Sequence, residues 1–275
     1  MSSDEYRDLA NSLSVRIKRA NTLGEQLGTA IQQWMKSNPL SVTPTIADDR
    51  LSWDLVVRTA RPPLEKWGML YGDAIHNLRA ALDNLVWGLA TASGTPPSKP
   101  RQVQFPIVEK EVDWVKGSRQ IAELLPVAQH AIENIQPFKR GGEHGTPEQD
   151  PLLLLNWLSN TDKHRLAILP IVQPLELQHS FAVEFRTDEE ARANVPPEVE
   201  MNADPFVDGT RLFRQVTKHP IVKIKGQYGV RGRVVVVDQE HGHLGVTESL
   251  AKLVTYVPQV VDYVLGKCLE DEVAR

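Results

Sequence analysis

Apolar residues recur every three or four positions along much of the chain, a spacing that predicts amphipathic helices. One such stripe runs from Tyr6 to Trp34 and ends at Asn38-Pro39. Asp150-Pro151 is typical of a helix start, because aspartate can cap the first turn and proline suits the first helical position. Pro258, inside the last stripe, predicts a kink. The predicted helices span about residues 4–36, 64–92, 118–135, 150–165 and 247–269.

The pattern changes to alternation of apolar and polar residues in two regions, which predicts β-strands. Residues 41–59 predict a β-hairpin, with Trp53, Leu55 and Val57 on one face. The region from 166 to 238 predicts a mostly antiparallel sheet of about five to seven strands. The clearest of these strands span residues 166–172, 179–186, 210–217, 221–230 and 233–238.

These elements predict an α+β fold with a helical half at residues 1–165, followed by a β half and a C-terminal helix at 166–275. No repeat, low-complexity tract or linker divides the chain, so a single domain is expected. With 275 residues, the chain can bury roughly 70–75% of its unfolded surface. The fold therefore requires neither a disulfide nor a metal ion for stability.

Composition and charge narrow the classes of function. The one cysteine, Cys268, lies on the apolar side of the last predicted helix, where a thiol acts as a small hydrophobe. No basic and apolar leader opens the chain, and its longest apolar run, Leu152 to Leu155, cannot span a bilayer. We expect a cytoplasmic protein with no membrane partner. The formal net charge of −4 gives the whole chain no electrostatic footprint for nucleic acid.

Common catalytic motifs are missing from the sequence, including phosphate-binding glycine loops, the nucleophile elbow and the His-Glu-x-x-His motif. No cofactor is therefore expected. Asp238, Glu240, His241 and His243 include a His-x-His spacing that could bind a metal from within a strand. They lie between a predicted strand and a loop without a further ligand nearby, so no metal site is predicted.

The first candidate site lies on the predicted helix at 64–92. At 100° per residue, His76, Arg79 and Asp83 fall within roughly 60° of one another, and Asn77 belongs to a polar strip beside them. An imidazole, a guanidinium and a carboxylate together could bind a phosphate and transfer a proton. In the alternative interpretation, Arg79 and Asp83 are an ordinary surface pair four residues apart, and His76 is a partly buried residue bonded to a carbonyl.

The second candidate site is the end of the predicted helix at 150–165. Asn160 lies on one line with Lys163, and His164 is beside them. Four ionisable residues in a row, Asp162 to Arg165, exceed what a helix end requires. Cations near a helix C-terminus nevertheless interact favourably with the helix dipole, which gives a purely structural alternative.

Three blocks of the sequence resemble a group of bacterial proteins that carry them in the same order and have no assigned activity. They are His76-Asn77-Leu78-Arg79-Ala80-Ala81-Leu82-Asp83 with Leu85-Val86-Trp87, then Phe105-Pro106-Ile107, then Asp162-Lys163-His164-Arg165. The resemblance covers about residues 50 to 170. It implies a bacterial protein but transfers no activity.

More distantly, the helix that carries Arg79 resembles the motif of HEPN domains, helical modules of bacterial toxin and defence systems that bind or cleave RNA. Their motif is arginine, four residues and histidine. Arg79 matches the arginine, whereas Asn84 occupies the histidine position, and an amide cannot transfer a proton at neutral pH. The resemblance implies RNA as a partner, and a homodimer.

Two functional hypotheses follow from these patterns. In the first, Arg79 binds RNA, with His76, Asp83 and His164 completing a metal-free catalytic site and Asn77, Asn160, Asp162, Lys163 and Arg165 binding the substrate. In the second, the protein is a non-catalytic binding or assembly protein whose polar helix residues form a structural network. The two differ in whether the polar groups meet in an open cleft or pair out of water.

Overall fold

A computed structural model of the chain describes residues 2–37, 40–92, 94–141, 145–164, 171–202, 204–238 and 242–274. Of residues 162–164, 174, 175, 177–179 and 238, it describes the backbone alone. The described chain combines long helices with antiparallel sheets, so the predicted α+β class is confirmed. The helices are α1 (Ser3–Lys36), α2 (Leu64–Thr91), α3 (Trp114–Gly117), α4 (Pro126–Asn134), α5 (Pro151–His164), α6 (Asp188–Ala193) and α7 (Val246–Val273).

The predicted helix at 118–135 is wrong in its first half. Residues Ser118–Ile121 form a 3-10 turn, and α4 begins only at Pro126. A proline has no N–H to donate, and it holds the preceding residue, Leu125, in an extended conformation with ψ of 145°. The helix therefore begins at Pro126, where the missing N–H costs no intrahelical hydrogen bond. α7, in contrast, continues as a helix through Pro258.

The predicted antiparallel pairing is confirmed, but the described strands form two sheets, so the single sheet predicted for residues 166–238 is wrong. The strands are β1 (Leu40–Ile46), β2 (Ser52–Thr59), β3 (Ile171–Glu184), β4 (Glu198–Met201), β5 (Arg211–Val216), β6 (Lys223–Asp238) and β7 (Gly242–Gly245). One sheet has four strands in the order β1-β2-β5-β4, and the other has three in the order β3-β6-β7. The predicted hairpin is confirmed as β1 paired with β2, with Val42 opposite Val57.

Two pairs of predicted strands are single long strands in the structure. The stretches predicted at 166–172 and 179–186 belong, where described, largely to β3, and those at 221–230 and 233–238 belong to β6. β3 and β6 pair along nearly their whole length, with one shift of register between Pro174 and Glu176. Proline cannot donate to the ladder, and the bulge lets the pairing continue past it.

The chain divides into two compact units, each assembled from separated stretches. The helical unit consists of residues 1–27, 68–168 and 247–275, and the β unit consists of residues 28–67 and 169–246. The C-terminal helix thus contributes to the helical unit, and the early hairpin contributes to the β unit. Compact units of one chain can belong to one domain or to two, so the single domain stays a prediction.

Buried residues of the helical unit follow the apolar stripes that predict its helices. Leu13 and Leu23 in α1, Leu155 in α5 and Leu253 and Val264 in α7 are buried. Cys268 is buried as predicted, and burial raises the pKa of its thiol, with a hydrogen bond to Tyr6 acting in the opposite direction. Within the described residues, none of the helices combines the length and the apolar character that crossing a bilayer requires.

The core of the β unit is an aromatic cluster around Trp53. The Trp53 side chain is 0% exposed, and its ring centroid lies 4.9 Å from that of Phe181 and 4.9 Å from that of Phe213. Its indole N–H donates to Oε1 of the buried Gln215 at 3.0 Å. Leu55 and the residues around Phe181 complete the cluster. Facing side chains of both sheets thus meet in one core.

Gly226 is required for the close pairing of β3 and β6. It lies opposite Phe181, and a Cβ at this position would press on the carbonyl oxygen of Ser180 and lie 2.7 Å from Phe181 Cα. We expect Gly226→Ala to lower the free energy of unfolding by about 1–3 kcal/mol, because backbone has to move. Urea denaturation followed by circular dichroism measures this loss. Gly28→Ala in α1 is the control, since a Cβ there meets nothing within 4 Å.

Candidate functional site

The buried Arg79 and the half-buried Asp83 form an ion pair on α2. Residues four apart share a helix face, and Arg79 Nη2 lies 2.9 Å from Asp83 Oδ1 while Nε lies 3.2 Å from Oδ2. Arg79 is only 7% exposed. The predicted pairing of Arg79 with Asp83 is present. The predicted location of the pair at the surface is wrong for Arg79. The guanidinium lies out of water, so its charge depends on the protein for compensation.

Both members of the pair also bind the main chain of Phe105. Asp83 Oδ1 accepts from the Phe105 N–H at 3.0 Å, and Arg79 Nη2 donates to the Phe105 carbonyl oxygen at 2.7 Å. Phe105 is fully buried and lies outside any helix or strand, so its backbone groups need partners of this kind. We call Arg79, Asp83 and the Phe105 main chain the Phe105 clamp. It brings together the first and second blocks of the bacterial resemblance.

His76 and Asn77 do not join the Phe105 clamp. His76 is exposed. The half-buried Asn77 donates from Nδ2 to the Asp73 carbonyl oxygen at 2.8 Å, a bond within its own helix. Arg79 Nη1 is buried and has no hydrogen-bond partner among the described residues. The imidazole and the guanidinium are therefore not presented together to a substrate from solvent.

The second candidate site is described only in part. Asn160 is exposed near the end of α5. The side chains of Asp162, Lys163 and His164, and the whole of Arg165, lie outside the described residues. Their convergence with Arg79, and the catalytic or binding roles assigned to them and to His76, Asp83 and Asn77, therefore stay predictions.

The His-x-His segment contributes one described side chain to the β unit. His243 Nδ1 lies 2.6 Å from Nε2 of the buried Gln173, so this ring is engaged in a hydrogen bond. Glu240, His241 and the side chain of Asp238 are outside the described part of the chain. Among the side chains that the structure describes, no three metal-ligating groups come together.

A polar cleft of about 530 Å³ opens in the helical unit at the start of α5. Asp150 organises it. Its Oδ1 accepts from the Leu152 N–H at 2.7 Å, which confirms the predicted helix cap, and its Oδ2 accepts from Arg140 Nε at 2.5 Å. The Asp150 side chain is 0% exposed, whereas that of Arg140 is 27% exposed. Asp150 is therefore a buried anchor, and Arg140 is the group that can reach the cleft.

Tyr256 and Lys252 line the cleft from α7, one helical turn apart. Arg140 Nη2 donates to the Tyr256 hydroxyl, and the guanidinium lies 5.7 Å from the centroid of the tyrosine ring. Lys252 is exposed, and its Nζ donates to the Gln149 carbonyl oxygen at 3.0 Å. We call the space bordered by Arg140, Asp150, Lys252 and Tyr256 the Arg140 cleft.

The surroundings of Arg140 in the cleft favour its charged form. Burial opposes the charge of Arg140, but hydrogen bonds with Asp150 and Tyr256 outweigh it and raise the pKa of the guanidinium. Burial, and then the charge of Asp150, raise the pKa of the Tyr256 phenol, so the hydroxyl stays neutral. At the rim, a hydrogen bond from Thr146 lowers the pKa of the Glu148 carboxyl. Arg140 and Lys252 are the cations of the cleft lining.

Comparisons of this chain with protein-family models, with curated proteins and with solved structures find no match. The resemblances to the bacterial group and to HEPN domains therefore stay predictions. Function has to be inferred from the geometry of the side chains.

Sequence reasoning missed the Arg140 cleft, although part of its signal was present. Asp150 is predicted as a helix cap, whereas Arg140 lies in a stretch that is predicted as neither helix nor strand. Lys252 and Tyr256 have the spacing of one helix face. Nothing in the spacing indicates that this face meets a loop more than a hundred residues earlier.

Proposed function

We propose that the chain is a non-catalytic binding or assembly protein, in which Arg79 and Asp83 stabilise the helical unit. The supporting observation is that Arg79 is buried and bonded to its own chain, to Asp83 and to the Phe105 carbonyl. An arginine that recognises a phosphate needs N–H groups open to the ligand. The hydrogen bonds of Arg79 instead stabilise a main-chain segment.

Among the described side chains, no histidine bonds to Arg79, and the Asp83 carboxylate beside it is engaged by Arg79 and by the Phe105 N–H. Asn84 stands where the HEPN motif has histidine, and it is half-buried on α2. His76 is exposed, and it has no bond to the Phe105 clamp. Metal-free RNA cleavage needs a base and an acid near neutral pH. The described side chains near Arg79 therefore favour binding or assembly over catalysis.

We expect the purified chain to leave single-stranded RNA intact, with and without divalent cations. His76→Ala, which removes the exposed imidazole of α2, should leave this result unchanged. The measurement is cleavage of a fluorescently labelled RNA over several hours, and His130→Ala, an exposed histidine on α4, is the matched control. Cleavage by the wild type that His76→Ala or His164→Ala abolishes, at unchanged unfolding midpoint, would instead establish the RNA-cleaving alternative.

A further inference from the structure

We propose that the Arg140 cleft binds the oxyanion of a small molecule, a phosphate or a carboxylate. The proposal rests on the proposed function in one respect, that the chain is a binding protein, and it gives that protein a site and a class of ligand. The cleft belongs to the helical unit alone, and it shares no residue with the Phe105 clamp.

The charges that face the cleft favour an anion. Asp150 uses Oδ1 for the α5 cap and Oδ2 for Arg140, and its side chain is 0% exposed. Its charge is therefore compensated inside the protein. Lys252 is exposed and makes one hydrogen bond, to Gln149. Arg140 and Asp150 compensate each other, and the Glu148 carboxylate lies at the rim, so Lys252 is the cation of the lining that is left for an anion.

Unused hydrogen-bond donors point to an oxyanion. Arg140 uses Nε for Asp150 and Nη2 for Tyr256, and Nη1 has no hydrogen-bond partner among the described residues. The ammonium of Lys252 has three protons and donates one, to Gln149. An oxyanion accepts several such charge-assisted hydrogen bonds at once, whereas a neutral ligand leaves the charge of the Lys252 ammonium uncompensated.

Arg140 is fixed before a ligand arrives. Its guanidinium is held on one edge by the Asp150 carboxylate and on another by the Tyr256 hydroxyl, with the tyrosine ring beside it. Ordering a free arginine on binding costs side-chain conformational entropy. Arg140 is already ordered in the folded chain, so its remaining donor, Nη1, is preorganised for a ligand.

The size of the Arg140 cleft indicates more than a bare ion. A volume of about 530 Å³ lies in the range of small-molecule sites, which run from roughly 300 to 1,000 Å³. Pro151 and the Tyr256 ring provide apolar wall beside the charged groups. We infer that the oxyanion is one end of a small organic molecule, whose remainder lies against this wall.

Isothermal titration calorimetry of the full chain tests the proposal with two probes, inorganic phosphate and succinate, at constant ionic strength. We expect saturable binding of at least one probe. Lys252→Met should weaken that binding about tenfold or more, the equivalent of one lost charge-assisted hydrogen bond. Lys116→Met, at an exposed lysine of α3, is the matched control and should bind like the wild type.

The two probes distinguish the sources of the oxyanion. Binding of phosphate alone identifies a phosphorylated ligand, and binding of succinate alone identifies a carboxylate ligand. Tyr256→Phe should weaken binding several-fold while the unfolding midpoint changes little, since it frees the guanidinium of Arg140 without removing a charge. No saturable binding of either probe, or equal affinity of Lys252→Met and wild type, overturns the proposal.

Failure of this inference differs from failure of the proposed function. If neither probe binds and RNA stays intact, the chain remains a binding or assembly protein without an oxyanion site. If RNA is cleaved in a manner that depends on His76 or His164, the proposed function is wrong, whether or not phosphate or succinate binds to the Arg140 cleft.

Discussion

Replacing Asp83 by alanine is expected to lower the free energy of unfolding of the helical unit by about 3–5 kcal/mol, because it leaves a buried guanidinium without its counter-charge. Arg79 is 7% exposed and cannot recover its hydration without disturbing α2. The same substitution removes the acceptor of the Phe105 N–H, a bond of 3.0 Å to a fully buried residue. Urea denaturation followed by far-ultraviolet circular dichroism measures the loss.

Two further variants separate charge from hydrogen bonding. Asp83→Asn keeps an acceptor for the Phe105 N–H but loses the charge. We therefore expect its free energy of unfolding to lie between those of the wild type and Asp83→Ala. The double variant Arg79→Met, Asp83→Leu removes both charges and should recover part of the loss, though it leaves the Phe105 main chain without these partners. Asp73→Ala, at an exposed carboxylate of the same helix, should stay within about 0.5 kcal/mol of wild type.

The Phe105 clamp fails as an explanation if Asp83→Ala and Asp73→Ala unfold at the same urea concentration. Such a result would mean that Arg79 is readily hydrated once its partner is gone. It would also make the arginine available to a ligand, and so strengthen the RNA hypothesis over the structural one.

Helix positions could be predicted because apolar periodicity and end signals agree along most of the chain. Asp150 caps α5 at the predicted residue, and α2 begins at Leu64, directly after Pro63. The prediction at 118–135 is wrong because Pro126 suits the first position of a helix and disfavours the helical conformation at Leu125, an effect that apolar periodicity does not contain. The merging of strands into β3 and β6 depends on pairing between residues far apart in sequence, which a local pattern does not contain.

The burial of Arg79 could be predicted from the sequence, whereas its contact with the Phe105 main chain could not. Arg79 follows Ile75 by four residues and precedes Leu82 by three, so it shares one face of α2 with these two apolar side chains. Ile75 and Leu82 are fully buried. A charged residue in that position needs a compensating partner, and Asp83 is the one that the helix offers. That both also hold the Phe105 main chain required the fold.

Trp53→Ala is expected to have an effect of similar size in the β unit, a loss of about 3–5 kcal/mol in the free energy of unfolding. The side chain is 0% exposed, and it contacts the rings of Phe181 and Phe213. Its removal leaves a large cavity between strands of both sheets. It also leaves the buried Oε1 of Gln215 without its 3.0 Å hydrogen bond from the indole.

Trp53→Phe tests which of these losses is larger, since phenylalanine refills most of the aromatic contact but cannot donate to Gln215. We expect it to lose less than half as much as Trp53→Ala if the cavity is the larger cost. Trp87→Ala, at a tryptophan that is 41% exposed, is the control for removing an indole, and its loss should be smaller. Thermal unfolding followed by circular dichroism gives the comparison. Equal midpoints for Trp53→Ala and Trp87→Ala would show that the aromatic cluster does not hold the two sheets together.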